Sequence, residues 1–374
     1  FRVTLDHGFP GDGGPAFVEV RHDVHAPRRL NQSGRDGIGP GGEGGHRAGI
    51  GDDHARLGQD AIERGEDRIA FKETMNKLGI DMPKSEPATS VEEAEKIATK
   101  MGYPVVVRPA YTMGGTGGGI VYNLEELRLI ASRGISASLI GQILIEESVI
   151  GWEELELEVV RDAKNQMITV CFIENVDAMG VHTGDSYCTA PMLTITPELQ
   201  KRLQDYSYKI VEAIQVIGGT NVQFAHDPKT DRVVVIEINP RTSRSSALAS
   251  KATGFPIALI SSILASGMTL DEIPYWRDGS LEKYTPSGDY VVVKFARWDF
   301  EKFPGSEDKL GTQMRAVGEV MSIGKNYKEA LQKAIRSLEK KRYGLGFVKD
   351  FNAKSLDELM EMLSEPSSER QFIM

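Results

Sequence analysis

Apolar and polar positions along the chain fall into two textures. From about residue 60 onward they follow the two-residue and 3.6-residue periods of strands and helices, whereas residues 1–58 sustain neither, apart from a short alternation at Ala16-Phe17-Val18-Glu19-Val20. Ser90-Val91-Glu92-Glu93 reads as a capping box opening a helix that runs to Met101 and stops at Gly102. A strand follows at 104–108, and Asn123 through Glu126 repeats the capping pattern before a helix to about Ser132. Segments 143–146, 155–161 and 167–173 predict strands, the last two joined by an Asp162-Ala163-Lys164-Asn165 turn. Thr196 and Pro197 supply an N-cap and a first-turn proline for a long amphipathic helix expected to end at Gly218-Gly219. Strands at 221–226 and 232–238 flank the turn Asp227-Pro228-Lys229-Thr230-Asp231. Beyond Ser246 the pattern is mostly helical, through 257–265 and 327–340, interrupted by a strand at 290–295. These elements predict an α+β fold with antiparallel hairpins and no internal repeat.

Composition sharpens the first texture. Residues 1–60 hold 14 of the 39 glycines and 5 of the 7 histidines, and the first lysine is Lys72. Such a segment predicts no core of its own and disorder. Its bias resembles a coding sequence translated in another frame. Gly37-Ile38-Gly39-Pro40-Gly41-Gly42 matches a dinucleotide-binding pattern but lacks the strand and helix that pattern needs. His22, His25, His46 and His54 have no ordered metal-ligand spacing and read as solvated. The whole chain of 374 residues has room for two domains, with 40 % hydrophobic and 26 % charged residues. A net charge of -10 leaves no global basic field for nucleic acid or an anionic membrane. Cys171 and Cys188 are too few for a disulfide framework, which points to a reducing cytoplasm. No apolar run reaches the roughly 20 residues of a membrane helix, and Phe1 in place of an initiator Met points to a fragment.

Three groups of residues carry candidate chemistry. Arg108 ends a strand, and five glycines within residues 114–119 free backbone N–H groups to approach an anion. Without a Gly-Lys-Ser/Thr ending this is a phosphate cradle of another kind than the P-loop, or a plain surface hairpin. Glu237 and Asn239 are two apart on a strand, and Gln223 on the preceding strand lies opposite; three oxygen ligands on one sheet face suit Mg²⁺. Arg241 follows and can hold an anion bidentately. Glu147, Val149 and Glu154 could read a nucleoside, with His182 downstream, although each alone fits a surface position equally well. The residues alone reach an ATP-dependent ligase or kinase of unidentified substrate.

Residues 60–338 resemble the ATP-grasp domain and following helical region in the first half of the carbamoyl phosphate synthetase large subunit. The resemblance rests on Glu66-Asp67-Arg68, on 108–119, on 180–186, on Asn221-Val222-Gln223-Phe224-Ala225, and on 237–246 with Lys251-Ala252-Thr253-Gly254. It implies an ATP-grasp fold over residues 59–340, then the truncated start of a helical oligomerisation domain at 341–374, after an aberrant segment at 1–58. It implies phosphorylation of bicarbonate by ATP to carboxyphosphate and amination to carbamate, within carbamoyl phosphate synthesis for pyrimidines and arginine. Arg68, Arg108, Gly114, Gly115, Glu147, Val149, Glu154, Gly180, Val181 and His182 would bind ATP. Gln223, Glu237 and Asn239 would hold two Mg²⁺ or Mn²⁺, and Arg241, Arg108 and Arg244 would act on the reacting groups. K⁺ would lie near Glu154, Asn175, Glu237 and Ser186. The implied partners are a glutaminase small subunit supplying ammonia, the second synthetase half and further copies in an oligomer. A biotin-carboxylase-like enzyme and a catalytically silent nucleotide-binding fragment stand as alternatives.

Overall fold

The structure, a computed structural model, describes residues 61–374 except 63, 111–116, 276, 278, 303, 304 and 347–350. The expectations for residues 1–58 and for Gly114 and Gly115 lie outside the described residues.

Two antiparallel sheets organise the chain. The smaller has four strands, β1 (Ser85–Ala88), β2 (Val105–Pro109), β3 (Gly119–Val121) and β4 (Ile143–Glu147), in the order β1-β4-β2-β3. Val105, Val107, Ile143 and Ile145 point to one side, where Ala94 and Ala98 of α2 (Val91–Met101) and Leu127 and Ala131 of α3 (Leu124–Ala137) close a core. By the two-residue period Val106, Arg108, Leu144 and Glu146 face the other way. Both helix starts are capped one residue differently from the expected box. Ser90 and Asn123 accept from the backbone three residues on, but Glu93 and Glu126 accept from the backbones of Thr89 and Tyr122 rather than from those of the caps.

The larger sheet has seven strands in the order β13-β12-β7-β6-β5-β8-β9. They are β5 (Glu153–Arg161), β6 (Met167–Asn175), β7 (Cys188–Ala190), β8 (Gly218–Asp227), β9 (Arg232–Asn239), β12 (Val291–Arg297) and β13 (Gly318–Gly324), with the small ladder of β10 (Pro274–Tyr275) and β11 (Gly279–Ser280) apart. One face of β5, β8 and β9 packs Leu155, Leu157, Val222, Phe224 and Val235 against α1 (Arg68–Leu78) and α4 (Pro197–Ile214). The helices α5 (Arg244–Thr253) and α6 (Ile257–Ala265) cover Val160, Ile168 and Val170, and α7 (Tyr327–Ser337) packs on β12 and β13. The short helices α8 (Leu356–Leu363) and α9 (Arg370–Ile373) end the chain.

Three expectations change. Helix α4 stops at Ile214, not at Gly218-Gly219: Gln215 takes the left-handed position at φ 64°, its N–H reaching the Val211 and Glu212 carbonyls. Gly218 and Gly219 instead open β8, because a Cβ on Gly219 would meet Ile257 of α6 at 2.6 Å. Helix α5 falls in the stretch expected to be mostly helical, while α1, α8 and strands β1, β3, β7 and β13 went unpredicted, β13 being an edge strand of largely half-buried residues. Among the described residues no single helix is long and apolar enough to cross a membrane.

Candidate functional site

A cavity of about 740 Å³ lies between the outer face of the small sheet and the polar face of the large one, a size in the range of small-molecule sites. The small sheet contributes Val106, Arg108, Leu144 and Glu146. The large sheet contributes Glu154, Gln223, Ile236, Glu237 and Asn239, with Arg241 just past β9. Arg68, at the start of α1, and Met179 to Thr183 complete the wall.

Glu237 faces this cavity because of an irregularity in the ladder. Gln223 pairs with Glu237 and Phe224 pairs with Val235, so Ile236 is an extra residue on β9. Simple alternation would send Glu237 into the core with Val233 and Val235. The bulge reverses the alternation, so that Ile236 and Glu237 both line the cavity.

Charge in the cavity is already paired. A terminal nitrogen of Arg68 lies 3.2 Å from Glu237, one of Arg108 lies 3.4 Å from it, and Arg108 Nε lies 2.7 Å from Glu146. Burial disfavours the Glu237 anion, but Arg68 and Arg108 outweigh it and hold its carboxyl below the usual range. Burial, reinforced by Glu156, pushes Glu154 well above that range, and its Oε2 is buried without a hydrogen-bond partner. Burial also lowers the His182 pKa. His182 Nδ1 accepts from Gly184 N–H at 3.0 Å, which places the proton of the neutral ring on Nε2.

From the cavity wall inward, Glu154, Glu156 and Glu158 alternate along one face of β5 and are all buried. Asn221, fully buried, donates to Glu156 at 2.9 Å and Glu158 at 3.0 Å, and its oxygen accepts from Gln223 at 3.1 Å and Asn239 at 3.3 Å. Two carboxylates thus fix which end of the Asn221 amide donates. That orientation in turn draws the NH₂ groups of Gln223 and Asn239 inward and leaves their carbonyl oxygens for the cavity. Burial raises Glu158 to about 7, against the lowering effect of hydrogen bonds from Ser245, Ser246 and Asn221.

The residues singled out from sequence divide into two groups. Arg68, Arg108, Glu154, Gly180, Val181, His182, Gln223, Glu237, Asn239 and Arg241 come together on the cavity wall. Arg241 Nε is 3.5 Å from Glu66, and a terminal nitrogen is 3.4 Å from Asn239. Glu147, Val149 and Arg244 do not line it. Glu147 points off the opposite face of β4 and pairs with Arg232 at 2.8 Å. Val149 packs with Ala225, Val234 and Ile236. Arg244 is exposed and meets Met314. Sequence reasoning missed Glu146, which differs from Glu147 only in strand phase, and the hydrogen-bonded set around Asn221. It also missed Thr312 on the wall and Gln313, whose amide reaches Gly118 at 3.5 Å.

The donor set fits a hard cation. Two amide oxygens and one carboxylate converge with no thiol, and the buried oxygens Glu154 Oε2 and Asn175 Oδ1 lack donors. Among the described residues no group of three His, Cys, Asp or Glu side chains forms a metal site, so any cation here depends on the amides. Cys171 and Cys188 are free and buried, and burial raises both thiols, which makes neither a nucleophile.

Comparison with known proteins agrees with this geometry. Residues 67–273 match the family model for the carbamoyl-phosphate synthase L chain, ATP binding domain, and residues 319–374 match that for the carbamoyl-phosphate synthetase large chain, oligomerisation domain. The carbamoyl phosphate synthase large chain of Archaeoglobus fulgidus is 55 % identical over 311 residues, 82 % of this chain and 28 % of that one. The Thermotoga neapolitana large chain is 52 % identical over 306 residues, 81 % of this chain and 27 % of its own length. The chain therefore spans little more than a quarter of these relatives. Among solved structures, biotin carboxylase of Campylobacter jejuni aligns with a TM-score of 0.58 at 18 % identity, covering 73 % of this chain and 66 % of that one. The biotin carboxylase domain of Hydrogenobacter thermophilus 2-oxoglutarate carboxylase aligns at 0.60 and 20 %, covering 78 % and 71 %. At such identities the likeness is one of fold, and that fold is the ATP-grasp arrangement of α and β elements. With its ATP-binding-domain match spanning more than half its length, the chain belongs to the carbamoyl phosphate synthase large-chain family.

Proposed function

We propose that this chain is the carboxyphosphate-forming part of an ATP-dependent ligase. In this reading the γ-phosphoryl group of ATP passes to a bicarbonate oxygen, releasing ADP. Ammonia then adds to the carboxyl carbon of carboxyphosphate, and phosphate leaves to give carbamate. The observation that carries the reading is the gathering of Arg68, Arg108 and Arg241 with Gln223, Glu237 and Asn239 around one cavity. Phosphoryl transfer needs charge neutralisation and alignment rather than a covalent nucleophile, and that is what these types supply.

Arg68 and Arg108 would hold phosphate oxygens, Gly114 and Gly115 would cover them, and Arg241 would hold bicarbonate, with Arg244 near it. Glu154 and the 180–182 backbone would bind the nucleoside side, whereas Glu147 and Val149 stand away from the cavity. Gln223, Glu237 and Asn239 would hold two Mg²⁺ or Mn²⁺, and Glu154 and Asn175, each with a donorless buried oxygen, would join Glu237 and Ser186 around K⁺. When bound, the divalent cations supply charge neutralisation on the phosphates. Ammonia would come from a glutaminase subunit, and a second synthetase half would complete carbamoyl phosphate for pyrimidine and arginine synthesis in the cytoplasm. The unit would run over residues 59–340, with 341–374 beginning an oligomerisation domain.

The test is Mg²⁺-dependent ADP release with and without bicarbonate. Stimulation by bicarbonate that disappears in Arg241→Ala supports the reading. A folded protein without stimulation defeats it in favour of a silent fragment.

A further inference from the structure

The wall of the cavity formed by residues 179–183 contains Gly180 at φ 125°, a backbone conformation few side chains tolerate, and is followed by Gly184. A stretch so built takes its position from its anchors. Its middle is tied by His182 N–H to the Gly311 carbonyl at 2.7 Å, and its start by Met179 N–H to the Trp152 carbonyl at 2.8 Å.

Thr183 is held as well, its carbonyl by Lys294 Nζ at 2.8 Å and its hydroxyl on Glu156 at 2.7 Å, and a further anchor comes from the far end of the chain. Arg370, only 6 % exposed, lies in the segment that matches the oligomerisation domain. Its Nε and one terminal nitrogen each lie 2.6 Å from an oxygen of Asp177, and that nitrogen is 3.2 Å from the Asp185 carbonyl. The other terminal nitrogen donates to the Ser367 carbonyl at 2.6 Å. The guanidinium sits 4.5 Å from the centre of the Tyr187 ring and 5.3 Å from that of Trp298. Asp177 and Asp185 bracket the wall segment. Asp185 N–H donates to the His182 carbonyl at 2.7 Å, and the Asp185 carboxylate accepts from Trp298 Nε1 at 3.0 Å and from the Arg315 and Ala316 amides at 2.8 and 2.6 Å.

We propose that Arg370 is a positioning residue for the nucleotide cavity: a guanidinium from the oligomerisation-domain segment that pins both ends of the stretch carrying Gly180, Val181 and His182. Nucleotide affinity then depends on how that segment docks, although Arg370 itself touches no cavity-lining side chain. The inference rests on reading the cavity as a nucleotide site.

Because Arg370→Met alone would leave the half-buried Asp177 without its counter-charge, the informative variant is the double substitution Arg370→Met with Asp177→Asn, which removes both charges. Titration of the 374-residue protein with MgADP is read beside thermal unfolding and amide hydrogen exchange. Wild-type protein binds MgADP on the underlying reading; failure to bind defeats that reading, and the proposal with it. Given wild-type binding, the double variant is expected to bind about tenfold more weakly, with faster exchange at residues 179–184 and unchanged exchange in β8 and β9. Affinity and exchange both at wild-type levels in the folded double variant would show Arg370 to be a stability element alone and overturn the proposal. If the double variant does not fold, Arg370→Lys carries the test: it keeps the charge but loses the two-ended contact, and wild-type affinity in it overturns the proposal equally.

Discussion

The two sheets facing the cavity solve opposite problems. The small sheet is apolar on its helix side and brings Arg108, Gly118 and Gly119 to the cavity, with Arg108 balanced by Glu146. The large sheet buries its polar groups, with Glu154 at the cavity wall and Glu156 and Glu158 behind it, the last two satisfied through Asn221. One sheet presents charge at a surface, where it can exchange partners. The other fixes the direction of neutral amides by hydrogen bonds made out of reach of water, where they are stronger and costlier to break. On the proposed function, gripping phosphates and aligning cations would draw on both.

The largest expected effect tests the seam between them. Glu237→Gln removes the carboxylate that both arginines share, and metal-dependent turnover should fall about a thousandfold. Urea unfolding should change far less, and unchanged ADP release would sink the cation assignment. Next comes the buried side of the contrast. Glu158 has its pKa raised to about 7 in the fold, against an ordinary value of 4.5. A neutral buried carboxyl adds stability that is complete below pH 4.5 and is lost as pH rises through about 7. The wild-type and Glu158→Gln unfolding free energies should therefore shift relative to each other by about 3 kcal/mol across that window. A pH-independent difference would mean that the carboxylate is charged and compensated. Asn221→Leu should cost about 2 kcal/mol of stability, since it strips donors from two buried carboxylates. It should also weaken Mg²⁺ activation, whereas in a Gln223→Glu background, whose ligand needs no orienting, the loss of activation should shrink. Activation losses that simply add would refute the orienting role. The smallest effect lies on the small-sheet side: Gln313→Ala removes one contact to Gly118 and should raise the KM for ATP by a factor of about two, in line with a single neutral hydrogen bond.

How legible each sheet was follows from the same contrast. Gly118 and Gly119, which reach the cavity wall, stand out in the sequence because clustered glycines are rare in strands. Gln223, Glu237 and Asn239 could be grouped from spacing and hairpin register, and the ladder does pair Gln223 with Glu237. The bulge at Ile236 that turns Glu237 toward the cavity leaves no mark in the sequence, since an extra strand residue looks like any other. Glu146 and Glu147 are indistinguishable until the phase of β4 against β2 is known, when Glu146 falls opposite Val106 beside Arg108. Glu156 and Glu158 read singly as surface acids, and only the partners supplied by distant strands explain their burial. Strand β13, a sheet edge whose residues are largely half-buried, offers too little alternation to be found.

The Arg370 contact bears on how such a chain can be taken apart. A division after residue 340 looks natural, because regular secondary structure thins out there. Yet it would separate Asp177 from its cation and uncover the rings of Tyr187 and Trp298 beside it. The smallest piece that could be moved whole into another protein is therefore one that keeps its sequence through Ile373. Modularity in this molecule follows where side chains reach, and a scissor line drawn by helix content would cut a contact that crosses it.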